Sequence, residues 1–214
     1  EISCSLVGSE MCIRDSPPKE SAKEAIKKLN RAGVRVIVLT GDNAEVTKCV
    51  CDKVGIKSKE VILGNRIDKL TDVAVLRLLR KNSIFAKLSP IQKARIVRIL
   101  KEAGNVVGYM GDGINDSPSL TNADVAVSVD TAVDIAKESA DIILLEKDLN
   151  VLHDGVTEGR RTFVNLMKYI KLSTSFNFGE VMSVIVASIF LPFLPETPIQ
   201  LLVEGLLYDF GQMT

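Results

Sequence analysis

The residues best suited to chemistry are Gly111-Asp112-Gly113-Ile114-Asn115-Asp116, which follow the apolar run Val106-Val107-Gly108-Tyr109-Met110. An apolar strand that stops at Gly-Asp-Gly delivers its carboxylate at the strand's C-terminal end, where ligands bind in open α/β sheets. A second carboxylate four residues on, with Asn115 beside it, makes a compact set of oxygen donors. A hard cation such as Mg²⁺ takes one or two carboxylates and completes its shell with water or phosphate oxygens. Asp and Asn also favour helix N-caps, and one Asp alone would be read as a cap. The whole hexapeptide is read as a cation site because further parts of such a site occur upstream.

The first of these is Val34-Arg35-Val36-Ile37-Val38-Leu39-Thr40-Gly41-Asp42-Asn43. A β-branched strand again ends in small polar residues. A hydroxyl and a backbone amide at a strand tip can hold a phosphoryl oxygen, and the following helix N-terminus favours the negative charge. Thr40 is the candidate for that contact; a plain turn capped by Asp42 or Asn43 is the alternative. The second part is Ala86-Lys87-Leu88-Ser89-Pro90-Ile91-Gln92-Lys93. Pro90 suits the first turn of a helix, which places Lys93 one turn in, able to project toward the same sheet edge. A lysine there neutralises a phosphoryl group as a point charge; taken alone it reads as a solvated helix lysine.

Together the three segments resemble the haloacid-dehalogenase-type phosphotransfer domain, and more closely the phosphorylation domain of P-type ATPases. The resemblance implies phosphate contact for Thr40, Gly41 and Lys93, and nucleotide (ATP) or hinge contact for Asp42. It also implies Mg²⁺ binding by Asp112 and Asp116, with Asn115 supporting the phosphate site. Phosphoryl transfer is mostly positioning plus charge stabilisation by a metal and a cation, and a carboxylate nucleophile forms the covalent intermediate. That family carries its phosphorylated aspartate in Asp-Lys-Thr-Gly-Thr, which this chain lacks. The nucleotide-binding insert and the actuator domain with its Thr-Gly-Glu loop are absent too. The chain is therefore expected to be an internal piece of a longer transporter, inactive by itself.

The elements that must position these residues alternate along the chain. Helical spacing covers 21–31, 44–54, 72–80, 91–103 and 132–139, and Gly33, Gly55 and Gly104 act as stops. Strands are expected at 34–39, 61–63, 83–86, 106–110, 125–129 and 142–144. Such alternation argues for an α/β fold, a Rossmann-like parallel sheet covered by helices.

Lys and Arg number 27, as do Asp and Glu, so the formal net charge is +0. No basic tract argues for nucleic acid. The charges are unevenly spread: from Leu172 onward only Glu180, Glu196, Glu204 and Asp209 remain. That shift divides the chain into the C-terminal part of a cytoplasmic phosphorylation domain (17–155), a stalk (156–171), a transmembrane helix (172–195) and the start of a second (198–214). A span needs roughly 20 apolar residues, and Pro192, Pro195 and Pro198 supply a turn between the two. Arg160, Arg161, Lys168 and Lys171 precede the first span, and the positive-inside rule puts that end in the cytoplasm. The expected setting is a multi-pass protein of the cell membrane, with residues 17–171 cytoplasmic. A buried hairpin of a soluble protein is the alternative.

Polar groups inside spans suggest function. Asn177 and Asp209 are the main candidates, able to face each other at similar depth in an antiparallel pair, with Glu180 and Glu204 behind them. Residues 124–130 and 134–141, with Asn177-Phe178-Gly179 and Leu206-Leu207-Tyr208-Asp209, resemble the magnesium-transporting branch of P-type ATPases. The resemblance implies an ion path through Asn177 and Asp209 and a transported divalent cation, Mg²⁺. Glu180 and Glu204-Gly205 depart from that pattern. A stand-alone phosphatase of the same fold, or a non-catalytic membrane-anchored remnant, is the competing reading.

Residues 1–16 interrupt the family pattern before Pro17-Pro18, resemble translated adaptor sequence, and are set aside from fold reasoning. Cys4 and Cys12 fall within them. Cys49 and Cys51 are two apart on a helix and so do not share a face; they read as ordinary thiols.

Overall fold

A computed structural model of the chain describes residues 2–6, 20–146, 148–193 and 197–212. They form two compact units, Glu1–Thr157 and Glu158–Thr214. Unit 1 is a seven-stranded, wholly parallel sheet in the order β3-β4-β2-β1-β5-β6-β7. Its strands are β1 Ile2–Leu6, β2 Val34–Leu39, β3 Val61–Leu63, β4 Ile84–Ala86, β5 Val106–Met110, β6 Val125–Val129 and β7 Ile142–Leu144. The connecting helices are α1 Glu20–Arg31, α2 Ala44–Val54, α3 Gly64–Asp68, α4 Asp72–Lys81, α5 Pro90–Glu102, α6 Ser117–Asn122 and α7 Asp134–Glu138.

Alternation along β2 shows why helices cover both faces. Ile37 and Leu39 join a core with residues of α3, α4 and α5. Val34 and Val36 join another with Ile26, Leu29, Cys51 and Val54 of α1 and α2. Successive strand side chains point to opposite faces, so a strand with apolar residues on both faces must be covered twice. The glycines read as stops sit in the left-handed region, with φ of +76° at Gly33, +83° at Gly55 and +81° at Gly104, a conformation open to glycine at little steric cost.

Two features differ from the sequence reading. Ile2–Leu6, set aside with residues 1–16, forms β1 in the middle of the sheet, paired with β2 on one side and β5 on the other. The alternating apolar residues Ile2, Cys4 and Leu6 suit a strand. Without a strand there, β2 and β5 would each expose an unpaired edge. Residues 7–16 lie outside the described residues. The expected stalk and span also merge: α8 is one helix, Leu149–Phe190, and stops before Pro192 rather than at 195. Proline has no N–H to continue a helix and disfavours helical backbone in the residue before it. The expected end of the span, Pro195, lies outside the described residues. α3, α6 and a 3₁₀ turn at Ile114–Asp116 are too short to show a helical period, and sequence reasoning missed them.

The start of α8 packs on the core of unit 1 through Leu149, Leu152 and Val156, which recur at helical spacing. In unit 2, α8 continues and is followed by α9, Pro198–Gln212. Among the described residues, one helix, α8, is long and apolar enough to cross a membrane. Its apolar side chains, Phe163, Val181, Ile185 and Phe190 among them, are exposed. A continuous apolar surface of this kind marks contact with lipid or another protein.

Candidate phosphotransfer and cation site

The strand order reverses at β1: β2 to β4 lie on one side and β5 to β7 on the other. Leu6 is level with Val38 on β2 and with Met110 on β5. Thr40 and Asp112, each two residues further on, therefore flank β1 at the C-terminal edge. They are two strand spacings apart, about 10 Å. This crevice is where doubly wound sheets bind ligands.

On the β2 side the backbone is stitched to the loop after β4. Thr40 N donates to Phe85 O at 3.0 Å, Leu88 N to Thr40 O at 3.0 Å, and Lys87 N to Asp42 O at 2.9 Å. Lys87 is bent to φ +52°, the one positive value among the described non-glycine residues. Thr40 is buried, and its hydroxyl turns back on its own loop. It donates to Asp42 Oδ2 at 2.9 Å and accepts from Asp42 N at 3.1 Å. Gly41 is exposed at the tip and Asp42 is half-buried.

α5 begins with a capping box. Gln92 N donates to Ser89 Oγ at 3.3 Å, Ser89 N donates to Gln92 Oε1 at 2.9 Å, and Pro90 occupies the first turn. Both orphan donors are thereby satisfied, and the helix is aimed so that Lys93 points inward. Lys93 is only 6 % exposed. Its ammonium lies 3.0 Å from Asp116 Oδ1, so the reading of a solvated surface lysine is excluded.

On the β5 side, Gly111 N donates to Val127 O at 3.1 Å and its carbonyl accepts from Ser128 Oγ at 2.9 Å. Val133 N donates to Asp112 O at 3.2 Å. The Gly-Asp-Gly loop is thus fastened to β6 and to the start of α7. Gly111 permits a close approach, because a Cβ there would lie 2.5 Å from Asp116 Cβ. Asp116 is 4 % exposed, Asp112 is half-buried and Asn115 is exposed.

Sequence reasoning missed Tyr109. Its hydroxyl donates to Asp116 Oδ1 at 2.9 Å. A tyrosine in a buried strand usually finds a partner for its hydroxyl, and that was the available signal. Burial above all, then the Asp116 carboxylate, push the Tyr109 phenol well above the ordinary tyrosine range, with the Ser119 hydroxyl opposing part of the rise. Ser119 Oγ is fully buried and has no partner in hydrogen-bond geometry among the described residues.

The donor set fits a magnesium ion. Oδ1 of Asp116 receives both Lys93 and Tyr109, whereas Oδ2 meets a backbone N–H, that of Gly113, at the long distance of 3.4 Å. One carboxylate oxygen is thus lightly held, and the second carboxylate, Asp112, lies four residues earlier in the same loop. Among the described residues no group of three or more His, Cys, Asp or Glu side chains gathers into a metal cage. Mg²⁺ asks for no such cage.

In unit 2, the half-buried residues Ser173, Phe176, Glu180, Val184 and Ala187 recur at helical spacing on α8, as do Glu204 and Tyr208 on α9. The rings of Phe176 and Tyr208 stack at 4.2 Å and 21°, and Tyr208 OH donates to Ser173 Oγ at 3.2 Å. Ser173, Phe176 and Tyr208 make this contact, while Asn177 is exposed and off that stripe. The side chain of Asp209 lies outside the described residues.

A family model described as haloacid dehalogenase-like hydrolase matches residues 6–124. The chain is 54 % identical over 197 residues to the magnesium-transporting ATPase, P-type 1, of Escherichia coli K12. It is 55 % identical over 197 residues to the protein of the same name in Salmonella typhimurium LT2. Each match covers 92 % of this chain, which spans 22 % of the relative's length. A solved zinc-transporting PIB-type ATPase in its E2.Pi state shares the fold, with a TM-score of 0.63 and 24 % identity over 79 % of this chain and 24 % of that one. The chain belongs to the haloacid dehalogenase-like hydrolase family and is closely similar to the matching part of magnesium-transporting P-type ATPases.

Proposed function

We propose that this chain is the C-terminal part of the phosphorylation domain of an ATP-driven cation pump together with the membrane helices that follow it, and that the transported ion is Mg²⁺, as its relatives' names suggest. The observation that carries the reading is the buried Lys93–Asp116 pair beside the Gly-Asp-Gly loop, a cation and a carboxylate held at the switch point of a parallel sheet. A carboxylate oxygen takes the γ-phosphoryl group of ATP as the bond to the β-phosphate oxygen breaks and ADP leaves with that bond's electron pair. Water later cleaves the acyl phosphate. The chain contains no Asp-Lys-Thr-Gly-Thr, so in this reading another segment supplies the acceptor.

Asp112 and Asp116 would hold Mg²⁺, which supplies charge neutralisation at the transferring group. Lys93 adds a point charge, and Thr40 and Gly41 contact phosphoryl oxygens once the hydroxyl leaves Asp42. Asp42 serves the nucleotide or the hinge, and Asn115 supports the phosphate site. Arg160, Arg161, Lys168 and Lys171 support a cytoplasmic start of α8 in a multi-pass plasma-membrane protein. Asn177 and Asp209 serve the ion path, and the bilayer and the nucleotide-binding and actuator domains are the partners.

The test is phosphoenzyme formation from γ-labelled ATP in the complete pump. Asp112→Asn is expected to abolish it while the protein still reaches the membrane. Labelling at the unsubstituted level in that variant removes Asp112 from the cation site.

A further inference from the structure

We infer that Tyr109 is a positioning residue for Asp116: its phenol holds Oδ1 on the protein side and so presents Oδ2 to the cation. The inference rests on the cation-site reading above. Oδ1 accepts from two donors, Lys93 Nζ at 3.0 Å and Tyr109 OH at 2.9 Å. These donors differ in what else they must do. Lys93 is the cation offered to a phosphoryl group, and drawing its ammonium toward that group weakens its hold on Asp116. Tyr109 has no second task. It stands on β5 directly before the Met110-Gly111 turn, fully buried between the sheet and α5 and α6. Its hydroxyl donates to Asp116 Oδ1 at 2.9 Å.

Asp116 has little else to fix its rotation. Among the described residues the one hydrogen bond to its Oδ2 is the long one from Gly113 N–H at 3.4 Å, and Gly111 sets backbone rather than a side chain against its Cβ. When Lys93 engages phosphate, the phenol is the contact that keeps the carboxylate plane from turning. With Oδ1 accepting from Tyr109 and Oδ2 on the side of the Gly111–Gly113 loop, the carboxylate would enter the coordination shell through one oxygen, which suits a small octahedral cation.

The experiment is calorimetric titration of Mg²⁺ into the 214-residue chain in detergent, alongside Asp116→Asn and Tyr109→Phe. Thermal unfolding in chelator reports folding of each. The expected result is Asp116-dependent binding that Tyr109→Phe weakens about tenfold, the scale of a hydrogen bond to a charged group. Tyr109→Phe that lowers the unfolding temperature but leaves Mg²⁺ affinity unchanged gives Tyr109 a purely structural role and overturns the inference alone. Binding that is absent, or indifferent to Asp116→Asn, overturns the cation-site reading and this inference with it. A measurement on the unsubstituted fold guards against a Tyr109→Phe chain that fails to fold. Saturating Mg²⁺ is expected to shift the ¹³Cζ resonance of Tyr109, and to leave it unmoved in Asp116→Asn. A Tyr109 resonance that ignores Mg²⁺ in the unsubstituted chain also overturns the inference.

Discussion

Lys93 Nζ and Asp116 Oδ1 lie 3.0 Å apart with side chains only 8 % and 5 % exposed, and they join α5 to the turn after β5 across 23 residues of chain. Desolvating two charges is costly, and removing one partner strands the other. Lys93→Met is therefore expected to destabilise unit 1 by about 3 kcal/mol. Adding Asp116→Leu to it should recover part of that loss. Urea unfolding of the three variants measures both; a double variant no more stable than Lys93→Met would show that the pair is not the origin of the cost.

Gly111→Ala places a Cβ 2.5 Å from Asp116 Cβ and 2.9 Å from its Cγ. The obstructing atoms belong to a buried side chain rather than to a flexible tip, so Asp116 must move. The expected cost is about 1–3 kcal/mol, together with loss of Asp116-dependent Mg²⁺ binding. Thermal unfolding with and without Mg²⁺ gives both readings. A variant that keeps the Mg²⁺ response would place the working carboxylate elsewhere.

Two buried acids set the alkaline limit of unit 1. Burial first, and then the charge of Asp52, push the Cys51 thiol from 9.0 up to about 11, and the Tyr109 phenol rises further above its ordinary range. The folded state thus holds both protons more tightly than the unfolded chain. The thiol's share of this stability is whole below about 9 and is lost as pH climbs toward 11, while the phenol's share declines only above its ordinary value and persists beyond that window. The unfolding temperature should fall across that window, and Cys51→Ala should flatten the fall. The Tyr109 phenolate band should emerge only with unfolding in an ultraviolet titration, and its appearance in the folded chain would contradict the burial argument.

The Phe176–Tyr208 stack joins α8 to α9 with Tyr208 OH on Ser173 Oγ. A double-variant cycle of Phe176→Leu and Tyr208→Leu in detergent should give a coupling of about 0.5–1.5 kcal/mol. Strict additivity would mean that the two helices do not pair through these rings.

Much of unit 1 was legible in the sequence because it is written in local periods. β2, α2, β3, β5, β6 and β7 fall on the expected residues, since runs of β-branched residues and helix-ending glycines act within a few positions of themselves. Gly111 to Asp116 was visible as oxygen donors because residue type and spacing are local too. Whether Lys93 met solvent or a carboxylate was not local. It depended on α5 crossing to pack beside β5, a contact that no 11-residue window contains. Tyr109 and its partner are only seven residues apart, but their meeting depends on how the chain turns after β5, and Ile2–Leu6 is a short alternating segment that becomes a central strand only where β2 and β5 flank it. On the part of α8 after Lys171 the sequence marked the apolar positions but not which face meets α9, because a segment apolar on nearly every side carries no preferred face until a neighbour such as Tyr208 selects one.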